Sequence, residues 1–214
     1  MRRAAGACRS PPALVLMKQR LEPWPTWLES SLQGVAFWIG HRQSLYSDYP
    51  LSESAIVTEI CNLLHANIPD RFRLRCEVQY SEFLKGRGDP TVLTERARID
   101  LIVAERTVVK GKVKLTPDFV FEVKRANASR AQVDGDLRRL AAVKRARPAS
   151  RAFLIVVSEG SRPERFVSEK GQSILGAHAI GEGAHFRVRR TLKAARAFSG
   201  KNSAHYACLI EVYQ

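Results

Sequence analysis

The chain has 214 residues, 45% of them hydrophobic, which is enough for one domain with a real core and excludes wholesale disorder. Lys and Arg number 35 against 21 Asp and Glu, a formal net charge of +14. Such an excess favours a polyanionic partner, because a basic surface releases the counterions condensed on phosphates, and it argues against an ordinary small-metabolite enzyme. No apolar run approaches the ~18–20 residues of a membrane span, so no membrane association is expected.

The four cysteines are Cys8, Cys61, Cys76 and Cys208. They include no C-x-x-C pair and no histidine at zinc-ligand spacing. Cys61 and Cys76 read as buried helix and strand positions. Reduced core thiols of a cytoplasmic protein are therefore expected, rather than a zinc site or a disulfide framework.

In chain order, residues 1–16 carry Arg2, Arg3 and Arg9, no acids, and Pro11-Pro12. They read as a frayed tail ahead of Met17, in preference to an Arg-rich presequence. Residues 17–50 form an N-terminal helical extension and 51–214 the main domain. In the extension, Trp27, Leu28, Leu32, Val35 and Trp38 recur at helical spacing from Pro25 to Trp38. With Trp24, these tryptophans are expected in the core rather than stacked on bases. Ser52 caps a helix running to about Ala66, with Ile56, Val57, Ile60, Leu63 and Leu64 on one face.

A strand is predicted from about Arg73 to Leu84, then a turn at Gly86, Gly88, Asp89 and Pro90. Strands follow from about Ala97 to Glu105 and from about Asp118 to Arg125, with Lys110-Gly111-Lys112 in the loop between them. Ser129 to Ala146 reads as a basic amphipathic helix ended by Pro148. Arg151 to Ser158 is continuously apolar at its centre, as buried strands are. A short helix near Pro163 to Lys170 and a C-terminal hairpin from Phe186 to the strand Tyr206 to Tyr213 complete the reading. The order from residue 52 to 158 is helix, strand, strand, strand, helix, strand, with loops long enough for binding between the first three strands.

The sharpest feature is Phe119-Val-Phe-Glu-Val-Lys124. Alternation places Glu122 and Lys124 on one strand face, about 6.6 Å apart at 3.3 Å per residue. A carboxylate and an amine on a largely buried strand are costly unless paired or bound. The preceding strand holds Asp100 among apolar neighbours in Arg98-Ile-Asp-Leu-Ile-Val103. If the two strands pair antiparallel, Asp100 lies beside Glu122, and two carboxylates with an ammonium suit a hard divalent cation and a water. The bland alternative is an ion pair of Lys124 with Asp100 or Glu122.

Asp100 followed by Glu122-Val123-Lys124, in that order of elements, resembles the PD-(D/E)xK nuclease superfamily over about half the chain. The resemblance implies an α/β fold with the αβββαβ restriction-endonuclease-like core and a mixed central sheet. It implies Mg²⁺ or Mn²⁺ held by Asp100, Glu122 and the Val123 carbonyl, with Lys124 holding the attacking water and a phosphate oxygen. One departure is Ile99 where the family often has Pro before the metal-binding Asp. Pro117-Asp118 does occur, but about 13 Å along the strand from Glu122, so Asp118 is kept as a reserve. The family's helix carboxylate falls on Glu53, at the centre of the helix stripe, which also suits a first-turn acid favoured by the helix dipole. Glu59 lies off the stripe and is the reserve.

Arg130, Arg138 and Arg139 on the later helix, and the loop residues Lys110 and Lys112, are candidates for holding phosphates. Gln132 and Asp136, one turn apart, are candidates to orient the metal-site groups. The hairpin adds Arg187, Arg189, Arg190, Lys193 and Arg196. No nucleotide-binding glycine motif and no HxH or HExxH spacing is present. The expected function is a divalent-metal-dependent nuclease, in first place an endonuclease on double-stranded DNA, of restriction, phage-defence or repair type. The alternative is a nuclease fold kept as an inactive nucleic-acid-binding or assembly subunit. Oligomeric state, a homodimer included, is left open.

Overall fold

Strand β4, Arg151–Ser158, is buried on both faces because helices cover the sheet on either side. The computed structural model describes residues 23–85, 93, 96–194 and 205–214. The tail of residues 1–16, Cys8, the Gly86–Pro90 turn and Arg196 lie outside the described residues. The elements are α1 (Thr26–Leu45), α2 (Glu53–Asn67), β1 (Phe72–Gln79), α3 (Tyr80–Leu84), β2 (Arg98–Val109), β3 (Lys112–Arg125) and α4 (Arg130–Ala146). After β4 come β5 (His178–Gly181), β6 (Ala184–Lys193) and β7 (Tyr206–Tyr213). They build an α/β fold on a seven-stranded mixed sheet of order β1-β2-β3-β4-β7-β6-β5, in which only β3 and β4 run parallel. No helix among the described residues is long and apolar enough to cross a membrane.

One face carries α1 and α2. Trp27, Leu28, Leu32, Val35 and Ile39 of α1 and Ile56, Ile60 and Leu64 of α2 pack with Phe119, Phe121, Phe153 and Ile155. Trp24 and Trp38 border the same core, so none of the three tryptophans is a free stacking platform. Gly34 lets the two helices approach: a Cβ there would stand 2.8 Å from Leu63 Cδ2. Ser31 Oγ closes the same contact by donating to the Leu63 carbonyl at 3.1 Å. The opposite face carries α4, whose Val133, Leu137, Leu140 and Ala141 pack on Val120, Leu154 and Val156.

The differences from the sequence reading are local. The first strand stops at Gln79 rather than Leu84, because Tyr80, Phe83 and Leu84 turn inward as the one-turn helix α3. The segment near Pro163–Lys170 is a set of turns with a Val167–Ser173 bridge, not a helix. Strands β2 and β3 are joined by a two-residue turn, not a long binding loop. Lys110 and Gly111 both take positive φ, 50° and 73°, as a twisted hairpin of this length requires. The cysteine expectation also fails in part. Cys208 is buried, but Cys61 is half-buried and Cys76 exposed, and their sulfurs lie 3.3 Å apart.

Candidate metal and phosphate site

Strands β2 and β3 pair from the hairpin turn up to Leu101↔Phe121 and then part. Past that point β2 stays with β1, through Ile99↔Val78 and Arg98↔Gln79, while β3 follows β4 to Arg125↔Val157. Asp100 stands at the fork, opposite Glu122 in the register. Its Oδ2 accepts the Val123 N–H at 2.7 Å, a side chain replacing the missing ladder bond. On the other side, β1 kinks at Glu77, a non-glycine residue with φ of 54° facing Asp100 between Cys76↔Leu101 and Val78↔Ile99. Backbone held in the left-handed region costs of order 1–3 kcal/mol, and here it coincides with the opening of the sheet.

Glu122 is only 2% exposed. Its Oε1 accepts the hydroxyl of fully buried Tyr80, and the Arg139 Nε lies 4.0 Å away. Burial first, and then the adjacent Asp100, hold the Glu122 carboxyl well above the usual range. Burial also raises Asp100, while the Val123 N–H, a hydrogen bond from Glu122 and the charge of Lys124 favour its ionised form. The two carboxyls therefore oppose each other's ionisation, and Glu122, the more deeply buried, is raised further. Tyr80 is pushed well up by burial and by Glu122, so it remains a donor.

Lys124 joins the two sides of the sheet. Its Nζ lies 2.7 Å from Glu53 Oε1, at the start of α2, and 3.4 Å from Asp136 Oδ2 on α4. Ser52 caps α2 by accepting the Ala55 N–H, which places Glu53 in the first turn beside the fork. Ser129 and Gln132 form a reciprocal capping box that starts α4. Asp136 is completely buried; its Oδ1 takes the Arg139 guanidinium, and its Oδ2 makes no hydrogen bond.

Four carboxyl groups, Glu53, Asp100, Glu122 and Asp136, thus face two fixed cations, Lys124 and Arg139. Two carboxyls side by side with that excess of carboxylate fit a hard divalent cation, whose charge would offset their mutual repulsion. Among the described residues no three Asp, Glu, His or Cys side chains are grouped to hold a metal on their own. The protein ligands would be the Asp100 and Glu122 carboxylates with the Val123 carbonyl, and water would fill the rest, as Mg²⁺ tolerates. A cavity of about 380 Å³ opens beside the fork, lined by Glu53, Asp100, Val57, Cys61, Cys76 and Glu77 among others.

Asp100, Glu122, Lys124, Glu53 and Asp136 are therefore brought together. Several other candidates are not. Gln132 is exposed and its side chain serves the helix cap, so it does not orient the site. Glu59 makes none of these contacts. Asp118 sits at the β-bulge where Val103↔Phe119 gives way to Ala104↔Pro117, at the far end of the buried stretch. The proposed ion pair of Lys124 with Asp100 or Glu122 is replaced by pairs with Glu53 and Asp136.

Arg139 does not face outward as a phosphate ligand but joins the buried network, while Arg130 and Arg138 are exposed. Lys110 and Lys112 lie at the hairpin tip, about 30 Å from Asp100 along β2, so they cannot touch a phosphate at the fork. Tyr80 and the inward role of Arg139 were missed. The spacing of Tyr80, Phe83 and Leu84, at i, i+3 and i+4, was the available signal for the first. No family model matches the sequence, and no curated protein matches it.

Proposed function

We propose that the protein is a divalent-metal-dependent nuclease with a restriction-endonuclease-like core, cleaving phosphodiester bonds of double-stranded DNA. The observation that carries this reading is the fork that sets Asp100 beside Glu122, with Lys124 two residues on and Glu53 reaching it from α2. The order α2, β1, β2, β3, α4, β4 and the charge of +14 support it.

A bound Mg²⁺ or Mn²⁺ would supply an activated water and neutralise charge on the phosphate. Asp100 and Glu122 would hold that ion, and Tyr80 and Arg139 hold Glu122 in place from behind. Lys124, paired with Glu53 and Asp136, is positioned to donate to a phosphate oxygen and to the incoming water. Glu53 is the most solvent-accessible of these carboxylates, with 42% of its side chain exposed, and can orient water at the mouth.

One observation favours a second reading, a nuclease-like subunit that binds nucleic acid without cutting it. Lys124 is paired with two carboxylates and must exchange one of them for substrate. Supercoiled, linear and single-stranded DNA incubated with Mg²⁺, Mn²⁺ or EDTA separates the two. Metal-dependent cleavage that falls by about 100-fold or more in Lys124→Ala and Glu122→Ala is expected. Binding with no cleavage in any metal supports the second reading and overturns the first.

A further inference from the structure

Cys61, on α2, and Cys76, on the edge strand β1, have their sulfurs 3.3 Å apart. Cys61 borders the core, but core packing does not explain why exposed Cys76 stands against it. Cys208 shows what a core cysteine looks like here, with no exposure at all, whereas Cys76 is exposed and Cys61 half-buried. Both line the same cavity as Glu53 and Asp100. A disulfide bond is about 2.05 Å long, so side-chain rotation that closes a little over 1 Å would join them.

We propose that Cys61 and Cys76 form a reversible disulfide that ties α2 to β1 at the mouth of the cavity shared by Glu53 and Asp100. The bond spans two elements that otherwise meet only at this edge of the sheet. It sits beside the kink at Glu77, where pairing between β1 and β2 is interrupted. Fixing the helix that carries Glu53 against the strand pair that carries Asp100 sets how far the cavity can open. Formation of the bond is independent of the nuclease reading; only its effect on a metal site rests on that reading.

The oxidant is a small-molecule disulfide. One cysteine, as thiolate, attacks a sulfur of that disulfide; the external S–S bond breaks and a thiol leaves with the proton. The second cysteine sulfur then attacks the mixed disulfide and expels the second thiol. The two cysteines lose two electrons and two protons, and the external disulfide becomes two thiols. Excess dithiol reverses both steps.

The test equilibrates the full chain in buffers of oxidised and reduced dithiothreitol, quenches it with an alkylating reagent, and maps the peptides by mass. The expected product is a single intramolecular Cys61–Cys76 cross-link, lighter by two hydrogens, absent in Cys61→Ser and Cys76→Ser and lost on reduction. Hydrogen exchange then compares oxidised and reduced protein without any metal or DNA. Amides of α2 and β1 should exchange about tenfold more slowly in the oxidised form, with no such change in Cys61→Ser. Both cysteines still alkylated in the most oxidising buffer, or a cross-link mainly to Cys8 or between chains, overturns the proposal. A cross-link that leaves exchange in α2 and β1 unaltered overturns its clamping role. A correct cross-link in a protein that cuts no DNA upholds it and rejects the nuclease reading alone.

Discussion

Glu122 carries a conflict: it is a carboxyl almost without solvent, with Asp100 adjacent. Because its pKa is raised on folding, the folded protein keeps a proton that the unfolded chain releases. Its contribution to stability is complete below the ordinary carboxylate range and is lost as pH rises through the folded-state value. Glu122→Gln keeps the acceptor for Tyr80 and removes the titration. In chelator, the variant should gain stability over the wild type as pH goes from about 5 to about 8, read from urea melts. Parallel curves would show that Glu122 is ionised in the folded protein. Asp136 makes the opposite case. Removing it in Asp136→Ala leaves Lys124 and Arg139 without their shared partner, and a loss of about 3 kcal/mol is expected from equilibrium unfolding.

At the level of elements, two helix starts flank the fork. Ser52 and Ser129 cap α2 and α4 on opposite faces of the sheet, and each cap places a carboxylate against Lys124. Ser129→Ala removes the half of the capping box in which the hydroxyl accepts the Gln132 N–H, leaves the Ser129 N–H on Gln132, and should cost about 1 kcal/mol. Because Asp136 lies only two turns into α4, fraying there should also raise exchange of the first-turn amides, measurable by NMR. Stability unchanged within a few tenths of a kcal/mol would mean that packing of Val133 and Leu137 alone sets the helix start. The β2–β3 hairpin is a second element with its own chemistry. Its distal half leaves the core, with Val108, Val109, Val113 and Leu115 all exposed beside Lys110, Lys112 and Lys114.

Across the whole molecule, the positive charge is spread well beyond the fork, and this separates binding from chemistry. Charge reversal of Lys110 and Lys112 should lower DNA affinity for all sequences and flatten the dependence of log K on log salt by about one to two units. The same variant should cut at the wild-type rate when DNA is saturating, since the tip is about 30 Å from Asp100. Slower cutting at saturation, in a folded protein, would place the tip in the reacting complex instead.

Local periodicity by itself determined the strands through Asp100 and Glu122, the caps at Ser52 and Ser129, and the buried strand from Arg151. Each of these is written in residues that are neighbours along the chain or one helical turn apart, where sterics and hydrophobic spacing act directly. The side-by-side placement of Asp100 and Glu122 follows once β2 and β3 are paired, because strand alternation leaves one choice of face. Tertiary structure alone decided the rest. Lys124 reaches Glu53 and Asp136 because the sheet opens after Leu101↔Phe121, and the opening depends on which neighbour each strand keeps. Tyr80 turns inward because α3 folds under β1, and Cys61 meets Cys76 because α2 packs across the sheet edge. Such contacts join residues far apart in sequence, and no spacing rule encodes the distance between two elements until a core has packed them together.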